Sequence, residues 1–210
     1  MTAALGLLFA YLAGSFPTAW LVGRARGLDL GAVGSGNYGA TNVFRNLGWG
    51  PALVVVAVDV AKGFVPVEFF PGWLPAGVLP EVAYQVLLAV AAVLGHVFSV
   101  FLSFRGGKGV GTAAGAFLAL APVALLAAAL AWVLVVTWRR IVSLASLAGT
   151  LVLLVAVWVE HGRESEAWPL LLVTTFLAGF VFWTHRENIG RLRRGEERRI
   201  TAGHAKRRGA

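Results

Sequence analysis

The stretch Val110–Trp138, VGTAAGAFLALAPVALLAAALAWVLVVTW, decides how this chain is folded. An α-helix rises about 1.5 Å per residue, so about 20 apolar residues cross the hydrocarbon of a bilayer. The stretch is too long for one crossing. Pro122 lies inside it, and its first half is entered through Gly106, Gly107, Gly109, Gly111 and Gly115. Proline lacks an N–H, clashes with the preceding turn and is favoured at the first position of a new helix. A split near Ala121 into two short helices is therefore expected.

Five further apolar segments flank this pair: Ala3–Val22, Pro51–Phe70, Val82–Phe104, Ile141–Val159 and Trp168–Trp183. Seven spans result. The 210 residues are 58% hydrophobic and 13% charged, with a mean hydropathy of +0.77. A water-soluble domain of this size cannot hide so much apolar surface. The first segment lacks a basic start and an obvious small-residue cleavage site, so it reads as a retained span and not a signal peptide. Cysteine is absent, which excludes disulfides, thiolate nucleophiles and Cys-held metals. The histidines at 96, 161, 185 and 204 show no metal-ligand spacing, so neither a metal nor a cofactor is expected.

Charge placement orients the spans. With seven crossings and an outside N-terminus, the inner face receives Arg24, Arg26, Arg45, Arg105, Lys108, Arg139, Arg140 and nine cations after Thr184, which is 16 of the 18 Lys and Arg. Arg163 falls outside and Lys62 within a span. Six crossings would carry both Arg139–Arg140 and the basic tail outside, so seven is preferred. The expected fold is thus an all-α integral membrane bundle of seven helices with a cytoplasmic C-terminus. A single domain runs over residues 1–197 and a basic tail over 198–210. The net charge of +8 lies at segment ends. That placement favours anionic lipid headgroups and anionic substrates over nucleic acid.

This topology brings four unusual sequences to one face. VGSGNYGATNVFRNLG, Val33–Gly48, concentrates glycine, hydroxyl and amide residues with one arginine. Glycines let successive N–H groups turn into one concavity, and hydroxyls and arginine add donors. This is a phosphate-binding composition, although it is neither a Walker A loop nor a dinucleotide fingerprint. In RGGKG, Arg105–Gly109, Lys108 stands between glycines just before a helix start, where anions are attracted. His185 and Asn188 in HRENIG are three residues apart and share a helix face. Glu187 reads as a partner for a nearby arginine. Ser143 and Ser146 follow Arg139–Arg140 at the start of a span. His96, deep in the third span, reads as a helix–helix contact, and Asp59 with Lys62 as an intrahelical ion pair.

These residues resemble a known family. GSGNYGATN with Arg45, GHVFSVFLSFRGGKG and HRENIGRL are similar to the three cytoplasmic motifs of the bacterial acyl-phosphate-dependent glycerol-3-phosphate acyltransferases, the PlsY family. DVAKG and RRIVSLASL look like further family segments. The resemblance implies a multi-pass enzyme of the bacterial inner (plasma) membrane with its active site on the cytoplasmic face. It would transfer a fatty acyl group from acyl phosphate to the sn-1 hydroxyl of glycerol 3-phosphate, giving lysophosphatidic acid and phosphate, the first step of phospholipid synthesis. By the same resemblance, Ser35, Gly36, Asn37, Gly39, Ala40 and Thr41 hold the phosphate of acyl phosphate. Arg45, Lys108, Ser143, His185 and Asn188 hold glycerol 3-phosphate and orient its hydroxyl. Asn42, His96, Ser146 and Glu187 are secondary candidates, with Ser143 and Ser146 interchangeable at this stage. No metal or cofactor is implied, nor any particular oligomeric state. A functional link to the enzyme that makes acyl phosphate is. An anion transporter is the rival class, but it would place its site near the midplane with repeat symmetry. A CDP-alcohol phosphotransferase would need several aspartates, and only Asp29 and Asp59 are present.

Overall fold

The computed structural model describes residues 2–77 and 79–200, and among these it is wholly helical. The helices are α1 (Thr2–Ser15), α2 (Thr18–Arg24), α3 (Ala40–Leu47), α4 (Trp49–Trp73), α5 (Glu81–Val97), α6 (Val110–Leu120), α7 (Pro122–Arg139), α8 (Val142–His161), α9 (Trp168–Thr184) and α10 (Arg186–Arg193). The break expected near Ala121 is present. Leu120 ends α6, Ala121 leaves the helical region at φ −152° and ψ 70°, and Pro122 opens α7.

Two spans read as continuous are interrupted. Pro17 separates α1 from α2, and α5 stops at Val97 before a single 3-10 turn at Val100–Leu102. Carbonyls released by a helix break inside lipid need new donors. The Ser99 hydroxyl donates to Ser15 O at 2.6 Å and Lys62 Nζ to Phe16 O at 3.2 Å. The Tyr11 hydroxyl donates to Phe98 O at 2.7 Å. Lys62 also pairs with Asp59 at 2.8 Å, as expected, and both side chains are buried. The pair therefore closes the α1–α2 break as well as neutralising itself.

Among the described residues, four helical units are long and apolar enough to cross a membrane: Thr2–Arg24, Glu81–Leu102, α7 and α8. The pair α9 and α10, bent by 59°, makes a fifth if taken as one span. In α7 only Ala124 and Ala128 are buried. Leu126, Leu130 and Leu134 on the same helix are each more than half exposed. Such an apolar outer face requires a lipid surround. The chain is an integral membrane protein.

Helix pairs approach through small residues, as is usual in lipid. A Cβ on Gly63 of α4 would strike the carbonyl of Thr112, and one on Gly115 of α6 that of Val60. Gly14 of α1 and Gly95 of α5 bear the same relation to Ala92 and Tyr11. These contacts hold α6 against α4, so the loop before α6 lies beside the loop before α3.

Candidate active site

One cavity of about 680 Å³ collects the four segments singled out in the sequence. Its polar end is lined by residues of the glycine loop, the loop before α6, the start of α8 and the α9–α10 junction. Its other end runs between α6, α7, α8 and α9 over Phe117, Leu125, Trp132, Leu153 and Leu177. The cavity therefore joins a cationic, donor-rich mouth to a long apolar wall.

The glycine loop is shaped by Asn42. This buried amide accepts the Ser35 N–H on Oδ1 at 3.2 Å, and its Nδ2 reaches Leu30 O, Val33 O and Asn37 O at 3.0–3.2 Å. Asn42 lines the wall, yet its polar atoms are spent on the loop itself. Gly34 and Gly36 adopt φ of +65°, the left-handed region where a side chain is strained. Gly39 does not: it is extended at φ −124° and precedes α3. Gly34, Ser35, Asn37, Gly39, Ala40 and Thr41 line the cavity, whereas Gly36 sits outside it. Ala40 and Thr41 form the first turn of α3, where N–H groups and the helix dipole favour an anion. Asn37 Nδ2 donates to Gly106 O at 3.3 Å and couples this loop to the next.

Lys108 is carried by that second loop. Gly107 N donates to His96 O at 3.2 Å, and the Thr184 hydroxyl donates to Lys108 O at 3.1 Å, so the loop is pinned at both sides. Glycine at 107 is required because a Cβ there would strike the His96 ring. His96 thus supports the loop from beneath, where a helix–helix contact was expected, and it also reaches the cavity wall. Lys108 Nζ donates to Asn188 Oδ1. Burial, with help from the Arg191 charge and against Glu197 and Glu187, pulls the Lys108 pKa down to about 8.

His185 is buried at the end of α9. Its Nδ1–H is matched by Val181 O at 2.8 Å, which leaves Nε2 as an acceptor. Burial and then the charge of Lys108 push its pKa down to about 4, so the ring is neutral at physiological pH. Arg45 reaches the Arg198 carbonyl at 3.0 Å, and its buried Nε has no partner among the described residues. Burial lowers the guanidinium pKa, opposed by Glu197. An unpartnered cationic donor beside Lys108 is a site prepared for an anion.

The two serines part company. Ser143 Oγ donates to Glu197 Oε1 at 2.9 Å within the polar cluster, whereas Ser146 Oγ receives the Trp132 indole N–H at 3.3 Å. Glu187 is exposed, lies off the cavity wall and makes no ion pair among the described residues. The expected arginine partner is therefore not found, and Arg191, four residues on, binds Glu197 at 2.7 Å.

Glu197 was not anticipated from the sequence. It ends a turn in which Gly195, at φ +72°, reverses the chain after α10. Its carboxylate accepts from Ser143, Asn188 and Arg191. The clue was the acidic pair in RLRRGEERR, an oddity in a basic stretch. Arg198 also lines the cavity, and Ile200 N donates to Arg140 O at 2.6 Å. The rest of the basic tail lies outside the described residues.

Comparison with known proteins places the chain in a family and a fold. The family model for glycerol-3-phosphate acyltransferase matches residues 4–195. A glycerol-3-phosphate acyltransferase of Thermus thermophilus is 47% identical over 208 residues, covering 95% of this chain and 96% of the relative. Another, from Chlorobaculum parvum, is 38% identical, covering 92% of this chain and 94% of the relative. The crystal structure of PlsY, an integral membrane glycerol 3-phosphate acyltransferase in its glycerol 3-phosphate form, superposes with a TM-score of 0.86 at 34% identity, covering 96% of each chain. Its lysophosphatidic acid form gives 0.84 at 33% identity, with the same coverage.

Proposed function

The chain belongs to the glycerol-3-phosphate acyltransferase family of PlsY type, and on that premise we propose that its acyl donor is acyl phosphate and its acceptor the sn-1 hydroxyl of glycerol 3-phosphate. The products are lysophosphatidic acid and inorganic phosphate. One observation carries this reading. A single cavity of about 680 Å³ joins a polar end lined by Arg45, Lys108, Ser143 and Asn188 to an apolar wall over Phe117, Leu125, Leu153 and Leu177. Two phosphorylated substrates, one with a fatty tail, need that combination.

The glycine loop and the first turn of α3 hold the phosphate of acyl phosphate. Arg45, Lys108, Ser143 and Asn188 take glycerol 3-phosphate. Neutral His185 accepts a hydrogen bond from the attacking hydroxyl on Nε2 and so aims its oxygen at the carbonyl. With a pKa near 4 the ring orients more than it deprotonates. The glycerol oxygen bonds to the acyl carbon, the bond from that carbon to the phosphate oxygen breaks, and the hydroxyl proton leaves on the departing phosphate. An acyl phosphate is already activated, so alignment and charge stabilisation suffice. No residue in the cavity has to become covalently acylated.

Residues 1–197 act as one domain of seven crossings, counting α4 and the short α6. Eleven residues of α6 rise only about 16 Å, short for a full crossing, and from its outer end α7 returns to the inner face, where Ser143 opens α8. The N-terminus lies outside and the site faces the cytoplasm of a bacterial inner membrane, which the placement of cations supports. A supply of acyl phosphate from the enzyme that makes it is implied.

The test is donor choice. Purified protein in lipid is given glycerol 3-phosphate with acyl phosphate, acyl-CoA or acyl carrier protein as donor. Lysophosphatidic acid should form from acyl phosphate alone, acylated at sn-1 by NMR. Equal or faster transfer from acyl-CoA would overturn the donor assignment.

A further inference from the structure

Glu197 is an anion buried where the site is otherwise built to receive anions. Its side chain is 3% exposed. Oε1 accepts from Asn188 Nδ2 at 2.6 Å and from Ser143 Oγ at 2.9 Å, and Oε2 from Arg191 Nε at 2.7 Å. A carboxylate with every near neighbour a donor is fully matched, and a buried charge without such partners would be costly.

The consequence reaches Lys108 through Asn188. An amide presents an NH2 on one side and a carbonyl on the other. A carboxylate can only accept, so Asn188 must turn its NH2 toward Glu197. Its Oδ1 is then left facing Lys108, which can only donate. The ammonium is thereby drawn to one end of the chain of bonds. From the functional reading above, on which this inference rests, we propose that Glu197 is a positioning residue. It fixes the orientation of Asn188 and Ser143, and through Asn188 the place of the Lys108 ammonium, for glycerol 3-phosphate.

Glu197 is poorly suited to be the base of the reaction. Burial opposes its charge, but bonds from Asn188, Arg191 and Ser143, with the Arg191 charge, outweigh that and hold the carboxyl below its usual range. A carboxylate so acidic is a weak proton acceptor. Its electrostatic effect on Lys108 is nonetheless readable. Arg191 and Arg45 lower the ammonium pKa, Glu197 and Glu187 raise it, and His185 is neutral. Removing the Glu197 charge leaves Lys108 easier to deprotonate.

Glu197→Gln tests this, since Gln keeps the shape but turns an NH2 toward at least one donor. Full-length protein in lipid is assayed with acyl phosphate saturating and glycerol 3-phosphate varied, from pH 7 to pH 9.5. The expected result is a loss of roughly ten- to a hundredfold in kcat/KM for glycerol 3-phosphate, the effect of one charge-assisted hydrogen bond. The KM for acyl phosphate should stay within about twofold, because the bonds affected lie on the acceptor side. The alkaline fall in kcat/KM should move to lower pH. Asn188→Ala combined with Glu197→Gln should lose clearly less than the product of the two single losses, because the part of the effect that runs through Asn188 is already gone. That cycle separates a positioning role from general loss of fold, in which the two losses would add. Unchanged kinetics and pH profile, additive losses, or tighter binding of glycerol 3-phosphate would each overturn the proposal. Wild-type protein that makes no lysophosphatidic acid from acyl phosphate would instead remove the functional reading, and this inference with it.

Discussion

Lys108 offers a direct way to see the anion site at work through pH. Its ammonium titrates near pH 8 because it is largely withdrawn from water near Arg191 and Arg45, although Glu197 and Glu187 partly compensate. The sign follows from its role. The protonated form binds phosphate, so rising pH removes the useful form, and it does so from about 8 instead of the usual lysine range near 10.4. A group with a pKa of 8 is roughly 90% charged at pH 7 and roughly 10% at pH 9. Between those values kcat/KM for glycerol 3-phosphate should fall about tenfold. Bound phosphate stabilises the ammonium, so the fall should move upward in kcat measured at saturating substrate. Lys108→Arg stays charged throughout the range and should show no such fall, at lower absolute activity because a planar fork replaces a compact cation. The assay is initial rate of lysophosphatidic acid formation from pH 7 to pH 9.5, with the spontaneous loss of acyl phosphate subtracted. A tenfold fall that persists in Lys108→Arg would refute the assignment to Lys108.

Three other variants probe separate parts of the account. Ser143→Ala should reduce kcat/KM for glycerol 3-phosphate about ten- to a hundredfold, whereas Ser146→Ala should lose only the Trp132 contact and stay within about threefold, as read in the same assay. Gly34→Ala introduces a Cβ at φ +65° that would strike Asn42 Oδ1, and it should destabilise the loop by about 1–3 kcal/mol, visible as a lower Tm and a raised KM for acyl phosphate. Single cysteines at Ser35 and Gly162, placed in a chain that has none, should differ in intact cells. An impermeant thiol reagent should label only position 162, and labelling at 35 would reverse the orientation.

Much of this arrangement was legible because its causes are local. Pro122 after a non-helical Ala121 breaks α6 from α7 by backbone chemistry that any sequence reveals. The glycine loop, Lys108, His185 and Asn188 stood out as polar types crowded at the ends of apolar segments, and the fold gathers them into one cavity. Other features depend on partners distant in sequence. Pro17 ends α1 because Lys62 and Ser99 are there to take up the carbonyls of Phe16 and Ser15. Which glycines of the loop turn left-handed is one of these: Gly34 and Gly36 do so, and Gly39 does not, because Asn42 ties the loop to itself. Glu197 was hidden for the same reason. Its neighbours in sequence are mainly basic, and its function arises from Ser143, 54 residues earlier, across a chain reversal at Gly195.

The central claim is that a glycerol hydroxyl attacks the acyl carbon and expels phosphate in this cavity. Acyl phosphate labelled with 18O at the bridging oxygen tests it most directly. Purified protein and glycerol 3-phosphate should release inorganic phosphate carrying the label, equimolar with lysophosphatidic acid that carries none. Label recovered in free fatty acid, or phosphate released without lysophosphatidic acid, would contradict the account.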